Sequence, residues 1–298
     1  MDQLAEPRAS SIELTGLGLG LLEWGPPGGP LLLAAHGFPD TAWTWRRVAP
    51  GLAAAGWRVV APALRGYAPS TLPADGDLSI YAVAEDLVEL ADRLGADERS
   101  VLVGHDWGAI AASLLAGRAE SPFSRYVLVA IPPLAHLNPR RGTLRPWTAA
   151  VIRQPAHSWY IAFNQLRGLA ERRFDWLARR LWASWAPGYD ATEDLAHLAE
   201  AVPDVTHARA VISYYRTALG SRMSALSAEP VHPVLFLQGD HDTALDPRFF
   251  EVVAPQLAPP SRAVLVEGAG HFPHLDRPEV VLTEMLAELG RPDAAVGR

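Results

Sequence analysis

Along the first 133 residues, short runs of leucine, valine and alanine alternate with longer stretches of helical periodicity. The runs PLLLAAHG (30–37), WRVVAPAL (57–64), SVLVGH (100–105) and RYVLVAI (125–131) are apolar at nearly every position. A strand with one wet face alternates apolar and polar residues, so continuous runs predict strands covered on both faces. SIELTG (11–16) and LGLLEWG (19–25) predict an opening hairpin. Between the runs, Trp43–Ala55, Ser79–Leu94 and Trp107–Ala116 carry helical patterns. In the second, Tyr81, Ala84, Leu87, Val88, Ala91 and Leu94 recur at helical spacing, with acidic residues opposite. Short apolar strands separated by helices of this length predict a mainly parallel sheet with helices on both sides.

After Ile131-Pro132-Pro133 the rhythm changes. No strand pattern is visible from 134 to 228, where tryptophan, tyrosine and arginine crowd together, and this stretch is expected to be a helical insertion. HPVLFLQGD (232–240) resumes the strand pattern. A helix near Pro247–Gln256, a strand at RAVLVEG (262–268) and a closing helix over Pro278–Leu289 follow, and RPDAAVGR (291–298) is expected to be a frayed tail. The predicted organisation is an α/β core of residues 1–133 and 229–298, with a helical cap of residues 134–228 inserted after the sixth strand.

Composition narrows the chemistry. The chain has 298 residues, 49% of them hydrophobic and 20% charged, which is ordinary for a soluble globular protein. Its net charge of −7 leaves no basic surplus to neutralise phosphates, so general nucleic-acid binding is not expected. There is no cysteine, which removes disulfides, zinc–thiolate sites and thiol nucleophiles. No histidine pair has H-x-x-x-H spacing, so no metal is expected, nor any other cofactor. The N-terminus lacks a signal-peptide pattern, and no uninterrupted apolar run is long enough to span a bilayer. A cytoplasmic protein without membrane association is therefore expected. The oligomeric state is left open, a homodimer included.

The chemistry concentrates in VLVGHDWGAI (101–110). A strand, then Gly104 and Gly108 around a tight turn, then a helix is the setting of a G-x-S-x-G nucleophile elbow, but Asp106 stands where serine is usual. At a helix N-terminus the carboxylate is stabilised as an anion and can attack without a base to deprotonate it. An aspartate there is by itself as readily a simple helix cap. Downstream, FLQGDHDTALDP places Asp240 and Asp242 after a strand, and VLVEGAGHFPHLDRPE places His271 after another. Nucleophile, acid, histidine is the chain order of α/β-hydrolase triads.

HGFPD (36–40), RGYAPS (65–70), GHDWGA (104–109) and GAGHFPHLDRPE (268–279) together resemble the α/β-hydrolase fold family, and specifically its aspartate-nucleophile branch of epoxide hydrolases. The resemblance extends over nearly the whole chain. It implies that Asp106 opens an apolar epoxide to an alkyl ester, which water activated by His271 hydrolyses to a vicinal diol. Asp242 would orient His271, by the family's G-x-x-D spacing from Gly239, with Asp240 as the rival. The backbone N–H groups of Phe38 and Trp107 would form the oxyanion hole, and His36, Pro39 and Trp159 would line the substrate. Two phenols would protonate the epoxide oxygen: Tyr215, from VISYYRTAL, and Tyr160, five residues before Gln165, where a one-residue slip selects Trp159. Haloalkane dehalogenases share the Asp-His-Asp set and the tryptophan at position 107, and remain the alternative. Two others are a hydrolase with a serine nucleophile, against which Ser113 lies two helical turns beyond the elbow, and an inactive binding protein.

Overall fold

The computed structural model describes residues 6–220 and 228–290. The expected tail 291–298 and the last residues of the insertion, 221–227, lie outside the described residues.

Eight strands form one sheet: β1 (Arg8–Leu14), β2 (Leu17–Trp24), β3 (Leu31–Ala35), β4 (Arg58–Pro62), β5 (Val101–His105), β6 (Arg125–Val129), β7 (Val234–Gly239) and β8 (Arg262–Val266). Their order is β1-β2-β4-β3-β5-β6-β7-β8. The opening hairpin is antiparallel, β2 joins β4 antiparallel, and every later pairing is parallel. Successive side chains on a strand point to opposite faces, and each apolar run accordingly feeds two cores. Leu33, Val60, Leu102, Leu128 and Phe236 pack on one side. Leu32, Val59, Val101, Val103, Val127, Leu235 and Leu237 pack on the other.

The helix expected over Trp43–Ala55 is two pieces, a 3₁₀ turn Ala42–Arg47 and α1 (Ala49–Ala54). Pro50 has no N–H to donate back to Arg46, so the ladder restarts at it. α2 (Ile80–Arg93) begins where expected, with the Ser79 hydroxyl accepting from the Ala82 N–H. α3 (Trp107–Ala116) matches the sequence pattern and is buried almost all round.

Between β6 and β7 the described residues hold helices and no strand: a 3₁₀ turn Leu134–Leu137, then α4 (Leu144–His157), α5 (Trp159–Asn164), α6 (Leu169–Arg172), α7 (Phe174–Trp185), α8 (Thr192–Ala201) and α9 (Val205–Gly220). α10 (Arg248–Val253), the one-turn α11 (Pro273–Asp276) and α12 (Pro278–Leu289) complete the chain. α11 carries no periodic signal and was not anticipated. Among the described residues no helix is long and apolar enough to cross a membrane.

The helical segment is tied to the loops that leave the strand ends. The Trp182 indole donates to the Pro39 carbonyl (2.8 Å), the Tyr214 hydroxyl to the Arg65 carbonyl (2.7 Å), and the His271 N–H to the Trp185 carbonyl (2.7 Å). A further tie is ionic. Arg46 makes a fork-shaped contact with both oxygens of buried Asp194 (2.6 and 3.0 Å) and reaches Glu193 at 3.1 Å. Removing one partner of a buried pair strands the other charge. Arg46→Met is therefore expected to lower the unfolding free energy by about 3–5 kcal/mol, read from denaturant midpoints. Pairing it with Asp194→Leu should recover most of the loss; no recovery would show that the arginine acts through packing alone.

Candidate active site

β5 ends at His105 and α3 starts at Trp107, so Asp106 alone makes the turn. It sits at φ 50°, ψ −113°, a left-handed conformation that costs a residue with a Cβ. The turn closes only because its flanks are bare: a Cβ on Gly104 would lie 2.2 Å from the Gly108 carbonyl oxygen. The chain arriving from β3 also presses on the aspartate, and a Cβ on Gly37 would lie 2.4 Å from Asp106 Cβ.

The carboxyl group so presented is buried. Its Oδ1 accepts the Phe38 N–H at 2.9 Å, and its Oδ2 lies 3.4 Å from His271 Nε2. On the other side of the ring, Nδ1 meets Asp242 Oδ2 at 3.0 Å. Asp242 is itself held by the N–H groups of Ala244 and Leu245 on Oδ1 (2.7 and 3.1 Å). Asp240, the rival, turns away and accepts from Gly268 and Ala269, bracing the loop that carries His271. Asp106, His271 and Asp242 thus form one connected line. Asp246 accepts the Arg248 N–H at the start of α10, as its place before Pro247 suggests.

Electrostatics sharpen this arrangement. Burial favours the neutral form of Asp106, but the nearby His271, with help from His105 and the Phe38 N–H, outweighs it. The carboxyl is held below the usual aspartate range. Burial likewise opposes charge on His271, yet Asp242 and Asp106 on either side push it up to about 10. His271 thus lies between Asp106 and Asp242, both of which favour its protonated form.

Two buried phenols pack together beside the residues that flank the carboxylate. Tyr160 and Tyr215 are 7% and 5% exposed, and their ring centroids are 5.5 Å apart. The Tyr215 ring packs edge-on against Phe38 and Trp107, each at 4.9 Å, and its buried hydroxyl has no protein partner. Burial foremost, and the Asp106 charge among other neighbours, push both hydroxyls above the ordinary tyrosine range, so they stay protonated. The Trp107 N–H, first of its helix, has no carbonyl of its own helix to bind.

The remaining expected residues lie differently. His36 does not face the substrate side: one ring nitrogen meets the Gly37 carbonyl (2.8 Å) and the other takes the Leu64 N–H (3.1 Å), so the ring staples the turn. Pro39 is buried, with its carbonyl spent on Trp182. Trp159, the alternative register, points to an outer aromatic group with Phe163 and Trp176, and the Arg180 guanidinium lies over its ring. Tyr160 is the member of the pair that faces inward.

The spacing rule used to exclude a metal overlooked Asp40, His105 and His274. These come from three separate segments and bring one nitrogen or oxygen each to within 4.8 Å of one another, fully buried. The available signal was their position, for each lies in the same motif as an active-site residue: HGFPD, GHDWG and GHFPH.

An aspartate at an elbow, backed by a histidine and a second carboxylate on a largely parallel sheet, is an α/β-hydrolase arrangement. The chain belongs to the alpha/beta hydrolase fold family, whose model matches residues 30–278. It is 29% identical to epoxide hydrolase A of Mycobacterium tuberculosis (strain ATCC 25618 / H37Rv), covering 95% of this chain and 97% of that one. It is 26% identical to the AB hydrolase superfamily protein YfhM of Bacillus subtilis (strain 168), covering 91% and 93%. The crystal structure of epoxide hydrolase A from Mycobacterium thermoresistibile superposes with a TM-score of 0.70 at 27% identity, covering 95% and 98%.

Proposed function

We propose that the protein is an epoxide hydrolase that converts an apolar epoxide and water to a vicinal diol, with the helical segment between β6 and β7 serving as a cap over the site. The observation that best supports this reading is the pair of buried phenols, Tyr160 and Tyr215, their rings 5.5 Å apart, whose hydroxyls burial and the Asp106 charge push above the ordinary tyrosine range. A departing halide needs only weak N–H donors, whereas an opening epoxide leaves an alkoxide that must be protonated where it forms.

In the first half-reaction Asp106 attacks an epoxide carbon. The ring C–O bond breaks, its electron pair stays on oxygen, and a phenol supplies the proton, leaving a hydroxyalkyl ester on Asp106. In the second, a water attacks the ester's carbonyl carbon while His271 takes its proton. The developing oxyanion falls to the Phe38 and Trp107 N–H groups; collapse expels an alkoxide that takes the proton of the new carboxylic acid, so the diol leaves with Asp106 again a carboxylate, and the proton His271 gives up on esterification restores the phenol. Asp242 keeps the imidazole oriented throughout. No cofactor enters either step.

Esterification also makes His271 a base. Two of the contributions that raise its pKa to about 10 come from Asp106, and both vanish when that carboxylate becomes a neutral ester. The hydrolytic half-reaction should accelerate as pH rises through the lowered pKa, while the alkylation half-reaction stays level until the free-enzyme value near 10. Single-turnover stopped flow on tryptophan fluorescence separates the two phases. Alkylation that changed over the same window as hydrolysis would contradict the charge switch.

The function itself is tested by offering an aryl epoxide and the matched haloalkane in separate assays. Diol from the first with no halide from the second supports the proposal; halide release without diol would make the protein a dehalogenase.

A further inference from the structure

Behind the active site, three side chains with no stated role converge. Asp40 ends the turn that carries Phe38, His105 precedes the nucleophile, and His274 lies three residues beyond His271. Their exposures are 2%, 0% and 0%. Asp40 Oδ2, His105 Nδ1 and His274 Nδ1 each lack a protein hydrogen-bond partner; the three residues bring one nitrogen or oxygen each to within 4.8 Å of one another, and Asp40 Oδ2 lies 3.7 Å from His105 Nδ1. The other polar atom of each group is engaged. Asp40 Oδ1 takes the Thr41 N–H at 2.8 Å, His105 Nε2 meets the His271 carbonyl at 3.0 Å, and His274 Nε2 meets the Thr44 hydroxyl at 2.6 Å.

Proton counting limits what can sit between them. A carbonyl only accepts, so His105 carries its hydrogen on Nε2 and presents a bare lone pair at Nδ1. Direct contact with Asp40 is excluded at 3.7 Å, since a hydrogen bond needs about 3 Å. Leaving three buried polar atoms unpaired is costly. A water bonded at about 2.8 Å in tetrahedral directions spans partners roughly 4.6 Å apart. It can donate to two of the three atoms and accept from the third.

We propose that Asp40, His105 and His274 enclose one buried water molecule, and that this knot, through the His105 hydrogen bond to the His271 carbonyl, positions His271. The knot stands on geometry alone; its positioning role rests on the function proposed above. Around it lie the Arg46–Asp194 pair, Thr44, and the His271 ring, 5.0 Å from that of His105. Burial first, then the Asp194 charge, raise Asp40 to about 8 against the opposing Thr44, Thr41 and Arg46 contacts. Burial foremost holds His105 down to about 3 and His274 well below the ordinary histidine range. Below pH 8 the cluster is therefore neutral, with Asp40 protonated; above it, a negative charge appears behind His271. All three are positioning residues, because none touches the reacting atoms.

Two-bond ¹H–¹⁵N spectra of the ¹⁵N-histidine-labelled protein test the knot without any assay of activity. His105 should be the Nε2–H tautomer, with a titration step near pH 8 that is absent in Asp40→Asn. The opposite tautomer, or no such step, overturns it. So does one equivalent of Co²⁺ binding with a visible ligand-field band that His274→Gln removes, which would make the cluster a metal site.

Kinetics then test the role. Asp40→Asn, which keeps a hydrogen-bond donor, should hold kcat for epoxide within about threefold. Asp40→Leu should lower kcat by roughly tenfold to a hundredfold at unchanged KM, the scale of a sub-ångström misplacement. Equal kcat in the two variants would refute a positioning role even where the spectra uphold the knot. Should Asp40→Leu not fold, the tautomer and titration of the wild-type protein remain decisive for the knot, and His274→Ala and His274→Gln supply the same comparison of kcat.

Discussion

Asp106→Asn is expected to abolish epoxide turnover, with a loss of about 10⁴-fold or more in kcat/KM and little change in fold. The amide matches the carboxylate in shape, and its oxygen can still accept the Phe38 N–H that now binds Oδ1 at 2.9 Å. What disappears is the anion that attacks carbon. The variant also loses the charge that, with Asp242, holds His271 up to about 10, so its histidine should titrate closer to the ordinary range. The ¹⁵N titration of His271 checks that shift separately from the assay. Turnover within tenfold of wild type would mean that water, not Asp106, attacks the substrate.

Tyr215→Phe should slow the alkylation step by about 10²-fold, at the lower end of what a positioned proton donor contributes, and leave hydrolysis of a preformed ester unaffected. The ring contacts to Phe38, Trp107 and Tyr160, all between 4.9 and 5.5 Å, survive the substitution, so the deficit reports the hydroxyl and not the packing. Tyr160→Phe should act on the same step. Together the two changes should cost more than either alone, since each hydroxyl can cover in part for the other. Stopped-flow resolution of the two half-reactions is the measurement. An unchanged alkylation rate in Tyr215→Phe would remove it from the donor role.

The strands were legible because a parallel sheet buried on both faces leaves an apolar run at each strand, and 31–35, 101–105 and 125–129 fall inside the predicted runs. Helix ends were legible where a side chain or a turn announced them, as at Ser79 and Trp107. Trp43–Ala55 reads as one helical stretch because its apolar periodicity runs through Pro50, whose missing N–H breaks the ladder without disturbing the pattern. In the candidate site, the proposed nucleophile, histidine and acid stand out by motif and chain order, but only geometry separates Asp242 from Asp240. Both follow the same strand, and only their hydrogen-bond partners separate them. His36 was assigned to the substrate because it opens a motif that forms the site. Its ring instead staples that motif, a role that depends on the Leu64 N–H 28 residues away. Which tyrosine faced inward was a matter of helix rotation, beyond the reach of spacing. Asp40, His105 and His274 have no spacing to recognise, because they come from three separate segments: a turn, the end of β5 and α11.

The central claim is that Asp106 forms an ester with an epoxide and that His271 is needed only to release it. Intact-mass spectrometry of the His271→Gln variant, incubated separately with an aryl epoxide and a haloalkane, tests this directly. The expected result is a stable gain of one epoxide mass, located on the peptide containing Asp106, with no adduct from the haloalkane. An adduct from the haloalkane alone, or no adduct from either, would contradict it.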